Sequence, residues 1–171
     1  DLDLWQQIYQ AIPGDDRQRL HGDYARYLIG HLPRSAGLEQ LSDLLFHLQE
    51  VSPEHSDSEL QHNHLRLALR ASDLARKQQD FATASRYMAI ACGLPPTKGL
   101  PDPTERRMQC ANLYLLAGQI AEAQQELHTL NQQKLSRSDV GRAALMTTRL
   151  LQHQSRHEDA LHYLLEQLAL I

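Results

Sequence analysis

Aromatic residues and glycine are scarce in this chain. Aromatics make up 5% of the 171 residues, and only 8 residues are glycine. Pleated sheets are built largely from β-branched and aromatic side chains, whereas Leu, Ala and Gln, which dominate here, favour helices. The composition therefore predicts an all-α protein. With 42% hydrophobic residues, a single domain over residues 1–171 is large enough to bury a core.

Cysteines and long apolar segments are also few. Cys92 and Cys110 form neither a CxxC pair nor a disulfide framework, and no apolar run reaches the length of a membrane span. These features favour a cytoplasmic protein in a reducing compartment, without a membrane partner. The chain begins without Met or a signal-peptide pattern and ends inside the apolar run LLEQLALI, so we expect a fragment of a larger protein.

Charge of one sign does not dominate the chain. The net charge is -4, with 22% charged residues. A protein that binds nucleic acid over much of its surface needs a basic excess, which this composition lacks. We therefore expect no direct nucleic-acid partner.

Motifs for catalysis and metal binding are missing or imperfect. There is no GxxxxGK[ST] phosphate-binding loop, and no Ser or Cys has a base nearby in a recognisable order. HEDALH (157–162) resembles the zinc motif HExxH, but its two histidines are separated by about 500° of helix turn instead of about 400°. His62 and His64 fall on different sides of a helix. We expect no enzyme, no cofactor and no metal site.

Proline and glycine divide the N-terminal part into separate predicted helices. Residues 1–52 contain three candidates, which end at Pro13-Gly14, at Pro33 and before Pro53: DLWQQIYQAI (3–12), DDRQRLHGDYARYLIGHL (15–32) and LEQLSDLLFHLQEV (38–51). In the third, Leu41, Leu44, Leu45 and Leu48 follow helical spacing and predict one buried stripe.

From Ser58 onward the sequence becomes repetitive. Three segments share one pattern: SDLARKQQDFATA (72–84), ANLYLLAGQIAEA (111–123) and TRLLQHQSRHEDA (148–160). Each has a turn residue (Gln79, Gly118, Ser155), a bulkier residue two positions later (Phe81, Ile120, His157) and an alanine three positions after that (Ala84, Ala123, Ala160). The copies are offset by 39 and 37 residues. The pattern predicts three helix hairpins, over residues 58–98, 103–134 and 138–171.

The alanines and the capping signals fit these hairpins. Two helices approach closely only where one presents a small side chain, so we expect the three alanines at close helix contacts. Asp102, followed by Pro103 and Glu105, predicts a helix start, and Ser58 with Gln61 and Ser155 with Glu158 predict two capping boxes.

The pattern resembles the tetratricopeptide helix-turn-helix repeat, whose usual period is about 34 residues, stretched here by longer loops. Residues 69–94, LRASDLARKQQDFATASRYMAIACGL, are also similar to the helical region that follows the AAA/STAND-type ATPase domain of large bacterial hybrid signalling proteins. The matching positions are Leu69-Arg70-Ala71, Ala75-Arg76, Phe81 and Ala84-Ser85-Arg86-Tyr87-Met88. Similar arms occur in LuxR-type transcriptional regulators.

The resemblance implies a right-handed α-α superhelix that acts as a non-catalytic protein-interaction and sensor module. Residues 1–52 would link it to an upstream ATPase domain. Its partners would be a protein or peptide, or flanking ATPase, kinase or DNA-binding domains of the same chain. A small-molecule inducer bound by the helical arm is the alternative.

Tetratricopeptide geometry also implies a partner-binding groove. The first helix of each hairpin lines the concave face, which places these residues there: Arg66, Leu69, Arg76, Lys77, Met108, Asn112, Arg142, Leu145, Arg149 and His153. Basic ends and an apolar centre favour an acidic, partly apolar partner. The other interpretation is that these arginines pair with acidic residues of neighbouring helices or lie on a solvated face.

The C-terminal helix predicts a further contact. Its apolar residues are Leu161, Leu164, Leu165, Leu168 and Ile171. A terminal repeat normally carries a polar outer face, so we expect either more helices downstream or a homodimer through this end. Packing back onto the preceding helix is the alternative.

Overall fold

The computed structural model describes residue 7 and residues 9–168, except for the side chain of Leu168. Short helical structure at residues 9–11 precedes the following elements: α1 (Gly14–His31), α2 (Leu38–Gln49), a 3-10 turn (Pro53–His55), α3 (Ser58–Lys77), α4 (Phe81–Gly93), α5 (Pro103–Leu116), α6 (Ile120–Asn131), α7 (Arg137–His153) and α8 (His157–Leu168). No strand occurs in this described part, and the all-α prediction is confirmed. Half of the first predicted helix, residues 3–12, lies outside it.

The chain divides into two compact units, residues 1–71 and 72–171, with the boundary inside α3. In the first unit α1 packs on α2. The predicted stripe of α2 is buried throughout, at Leu41, Leu44, Leu45 and Leu48. An ion pair between Arg26 and Asp57 (2.9 Å) ties α1 to the start of α3.

In the second unit each helix packs on the next one along the chain, from α4 to α8, and α5 also contacts α7. The hydroxyl of Ser72 in α3 donates to the carbonyl oxygen of Ala84 in α4 (2.8 Å), which joins the first hairpin. Helices α5, α6 and α7 share one core: Met108, Ala111, Leu115, Ala123, Leu127, Leu130, Ala143, Met146 and Leu150.

One turn geometry occurs at all three predicted turns. Gln79, Gly118 and Ser155 have left-handed φ values of 62°, 73° and 59°. The next N–H in each case bonds to the carbonyl five residues back: Asp80 to Ala75 (3.0 Å), Gln119 to Tyr114 (2.9 Å) and Arg156 to Leu151 (2.9 Å). This is the Schellman arrangement that ends a helix sharply. The alanines five residues after each turn residue, Ala84, Ala123 and Ala160, are all buried.

Two of the three predicted caps differ from the structure. Asp102 caps α5 as predicted, because its carboxylate accepts from the N–H of Glu105 (2.9 Å). At α3 the cap is Asp57 instead of Ser58, since the carboxylate of Asp57 accepts from the N–H of Leu60 (2.7 Å). Ser155 belongs to the left-handed turn and does not cap α8. The predicted Ser58 and Ser155 capping boxes are therefore wrong.

The left-handed turns predict opposite effects of two substitutions. Gly118→Ala is expected to lower the free energy of unfolding by about 1 kcal/mol, because a Cβ disfavours this φ although it meets no atom within 4 Å. Gln79→Gly is expected to raise it by a few tenths to about 1 kcal/mol, since glycine relieves the same strain. Urea unfolding followed by circular dichroism measures both. Equal effects of the same sign would contradict the shared geometry.

Candidate partner-binding face

An ion pair joins the first turn of α5 to the second turn of α7. Arg142 of α7 donates from Nη1 to Oε2 of Glu105 (2.6 Å) and from Nη2 to Oε1 (3.2 Å). The amide of Gln109 also donates to Glu105 Oε1 (2.8 Å), and Asp139 lies 3.6 Å from the guanidinium. Because α5 and α7 contact each other and both are anchored near their starts, they lie side by side.

An exposed strip continues from this ion pair along both helices. Residues at helical spacings of 3, 7 and 11 from an anchor share its face. The position 3 from Glu105 is Met108, which is buried and not part of the strip. The remaining positions are Asn112 and Leu116 from Glu105, and Leu145, Arg149 and His153 from Arg142. We call these five residues the α5/α7 face. Leu145 is 57% exposed and Leu116 is 52% exposed, so both offer apolar surface to a partner.

Arg149 is the basic group of this face that is available to a partner. It is exposed and forms no ion pair with any residue that the structure describes. An apolar strip with an unpaired guanidinium beside it can bind a segment that carries both apolar groups and a carboxylate.

Other predicted groove residues are placed differently. Met108 is 1% exposed and belongs to the shared core, so it cannot contact a partner. Met108 shares the helical register of Asn112 and Leu116, but its side chain is buried in the core shared by α5, α6 and α7, so its predicted place in the groove was wrong. Arg76 and Lys77 are exposed, but both pair with Asp73 (2.6 and 2.7 Å).

Arg66 and Leu69 belong to the first unit. Arg66 is exposed and donates to the side-chain oxygen of Asn63 (2.9 Å), and Leu69 is half-buried. Arg142 pairs with an acidic residue of a neighbouring helix, and Arg76 and Lys77 pair within their own helix. Arg149 is exposed without an ion pair among the described residues, which fits both the groove prediction and the solvated face of the second interpretation.

The ion pairs shift the pKa values of their acids. The hydrogen bond from Arg142 is the main cause that lowers the pKa of Glu105. The hydrogen bond from Lys77, followed by that from Arg76, lowers the pKa of Asp73. Glu105 is thereby kept ionised, and its charge compensates Arg142.

The lowered pKa of Glu105 predicts a pH-dependent contribution to stability. A carboxyl whose pKa is lower in the folded state stabilises it above the unfolded pKa, 4.5, and loses this effect as the pH falls through the folded value. Wild type is therefore expected to be more stable than Glu105→Gln at pH 7, by up to about 1 kcal/mol for this partly exposed pair. The difference should disappear well below pH 4.5. Glu122→Gln, at an exposed position of α6, is the control. A stability difference between wild type and Glu105→Gln that does not vary with pH would contradict the lowered pKa of Glu105.

A second concave feature lies in the first unit, between α1 and α2. It has a volume of about 380 Å³ and these lining residues: Tyr24, Leu28, His31, Leu32, Pro33, Gln40, Asp43, Leu44, Phe46 and His47. Beside it the ring nitrogens of His21 and His47 lie 2.8 Å apart, and the hydroxyl of Tyr9 lies 2.7 Å from His21. Burial, followed by the proximity of His21, lowers the pKa of His47. This cavity exists because α1 packs on α2, and that contact is not visible in the helical spacing of either segment.

Among the described residues, no group of three or more His, Cys, Asp or Glu side chains is arranged to hold a metal ion. The two histidines of HEDALH, His157 and His162, are exposed. No described helix has both the length and the apolarity to cross a membrane.

Leu161 and Leu165, from the apolar set of the C-terminal helix, are exposed. Ile171 and the side chain of Leu168 lie outside the described residues. The homodimer stays a prediction.

Comparisons with protein-family models, with curated proteins and with solved structures find no match to this chain.

Proposed function

We propose that the chain is a non-catalytic, tetratricopeptide-like interaction module whose hairpins form a right-handed superhelix and bind a protein segment on the α5/α7 face. The observation that carries the proposal is the recurrence of one turn geometry at Gln79, Gly118 and Ser155, each followed five residues later by a buried alanine. Repeated hairpins with the same turn stack in the same way and present their first helices on one side. That side includes α5 and α7.

The chemistry of the face defines the partner. Leu116 and Leu145 offer apolar surface, and Arg149 offers five N–H donors in a fork that fits a carboxylate. The side-chain amide of Asn112 can bond to a partner's main chain. The partner that fits is an acidic, partly apolar helix or extended segment.

The resemblance of residues 69–94 to the helical region of bacterial signalling proteins supports the proposed biological setting. We place the module in a bacterial signal-transduction ATPase or a transcriptional regulator of the cytoplasm, where occupancy of the face would be transmitted to flanking domains. The partner segment would come from another protein or from a flanking ATPase, kinase or DNA-binding domain of the same chain.

Selection of peptides from a displayed random library against the chain tests the proposal. We expect the selected peptides to be rich in Asp or Glu and in apolar residues. Arg149→Glu is expected to weaken their binding about tenfold or more, corresponding to about 1.4 kcal/mol. Leu145→Ser is expected to weaken it as well, and isothermal titration calorimetry measures both affinities.

Two controls separate this result from general damage. Gln125→Glu adds the same negative charge at an exposed position of α6 and should leave the affinity unchanged. Arg149 has no ion pair among the described residues, so the melting temperature of Arg149→Glu should stay near that of wild type. Selected peptides that bind Arg149→Glu and Leu145→Ser as tightly as wild type would refute the α5/α7 face.

The cavity between α1 and α2 favours a second candidate function, the binding of a small-molecule inducer. Its volume of about 380 Å³, its aromatic walls at Tyr24 and Phe46 and its polar groups are suited to a metabolite. A ligand bound to the native state raises the melting temperature. A thermal-shift screen of metabolites that yields saturable stabilisation, lost in Phe46→Ala, would favour this function.

A further inference from the structure

The structure brings together the two cysteines, which are far apart in sequence. Cys92 is the penultimate residue of α4, Cys110 lies within α5, and these helices pack together. The guanidinium of Arg106 donates from Nη1 to the carbonyl oxygens of Ala91 and Leu94 (3.0 Å for Leu94), the residues on either side of Cys92 and Gly93. Cys110 follows Arg106 by one helical turn on the same face of α5. It therefore faces the end of α4 that carries Cys92.

Arg106 is a buried cation, and some of its N–H donors have no hydrogen-bond acceptor among the described residues. It is 0% exposed, and its Nε and Nη2 have no hydrogen-bond partner among the described residues. A buried guanidinium is costly unless an anion or further acceptors compensate it. The carboxylate of Glu126 is already held by Arg107 (2.7 Å). A thiolate at Cys92 would supply the missing negative charge.

The two thiols differ in acidity and in access. A hydrogen bond from Cys110 is the main cause that lowers the pKa of Cys92, and Arg107 and Arg106 lower it further, while burial and Glu126 oppose them. The same hydrogen bond, together with burial, raises the pKa of Cys110. Cys92 is half-buried and within reach of a small reagent, whereas Cys110 is buried.

We propose that Cys92 and Cys110 form a peroxide-reactive dithiol that closes to a reversible disulfide. The Cys92 thiolate attacks one oxygen of hydrogen peroxide and becomes a sulfenic acid, while the O–O bond breaks and the departing hydroxide takes a proton to form water. The Cys110 sulfur then attacks the Cys92 sulfur and displaces hydroxide, which takes up the proton that Cys110 loses. In sum, two thiols and one peroxide yield one disulfide and two waters. A small dithiol reverses the reaction by exchange.

Such a pair suits a reducing compartment. Disulfides there are mostly transient and report on oxidant level, and the reactive cysteine is the more acidic and more accessible one. The loop closed by the disulfide spans residues 92–110, which contains the connection between α4 and α5. Oxidation would join these two helices covalently.

Treatment of the intact chain with one equivalent of hydrogen peroxide tests the proposal. Mass spectrometry after alkylation and proteolysis should show loss of both thiols and one intramolecular peptide pair that contains Cys92 and Cys110, restored by dithiothreitol. The rate of Cys92 alkylation should rise with pH around an apparent pKa below the ordinary value of about 8.5. Unreacted thiols at this dose, or disulfides only between different chains, would overturn the proposal.

Single variants distinguish the two roles. In Cys110→Ser the sulfenic acid of Cys92 should persist and be trapped by a 1,3-diketone reagent, whereas Cys92→Ser should not react. Arg106→Met should slow the alkylation of Cys92. If that variant does not fold, the pH profile of the wild-type alkylation rate tests the acidity of Cys92, and a profile centred at or above the ordinary thiol value refutes the reactive thiolate.

Discussion

Replacing Leu44 with alanine is expected to lower the free energy of unfolding of the first unit by about 2–5 kcal/mol, the largest effect that we predict. Leu44 is 0% exposed and lies at the centre of the buried stripe of α2, which packs on α1. The substitution removes apolar contacts and leaves a cavity, because helices anchored by the neighbouring leucines cannot close around it. Chemical unfolding followed by circular dichroism measures the change.

The matched control is Leu20→Ala on α1. Leu20 is 55% exposed, so the same atoms are removed from a site that remains in contact with solvent. We expect this variant to differ from wild type by less than about 0.5 kcal/mol. Equal losses at Leu20 and Leu44 would mean that α2 does not bury its stripe as the structure describes.

Enlarging Ala123 to leucine is expected to cost about 1–3 kcal/mol in the second unit. Ala123 is fully buried in the core shared by α5, α6 and α7. A leucine there must push helices apart or adopt a strained rotamer. The shift in melting temperature, measured by scanning calorimetry, reports the cost.

Ala121→Leu is the control for this substitution, because Ala121 is exposed two residues earlier on α6. It should change the melting temperature little. If Ala123→Leu behaves like Ala121→Leu, close helix contact at the alanine positions is not what holds the hairpins together.

Features encoded by local spacing were predictable from the sequence. The leucines of α2 follow the period of a helix, so their burial could be read without knowing what covers them. Gln79, Gly118 and Ser155 were recognisable as turns because each stands at the same place in a recurring pattern. The left-handed φ at Gln79 and Ser155 was not predictable, since glycine is the usual residue at such a position.

Features that depend on contacts between helices were not predictable. The repeat register places Met108 in the groove, but the packing of α5 with α6 and α7 buries it in their shared core. The pairing of Arg142 depends on Glu105, which lies in a different hairpin. Cys92 and Cys110 carry no local motif, and only the packing of α4 on α5 places them together.

The most direct measurement of the central claim is the footprint of a selected acidic peptide on the chain, mapped by NMR chemical-shift perturbation. The proposal predicts the largest perturbations at Asn112, Leu116, Leu145 and Arg149, and their loss in Arg149→Glu. Perturbations centred instead on the cavity beside Phe46, or on the outer surfaces of α6 and α8, would contradict it.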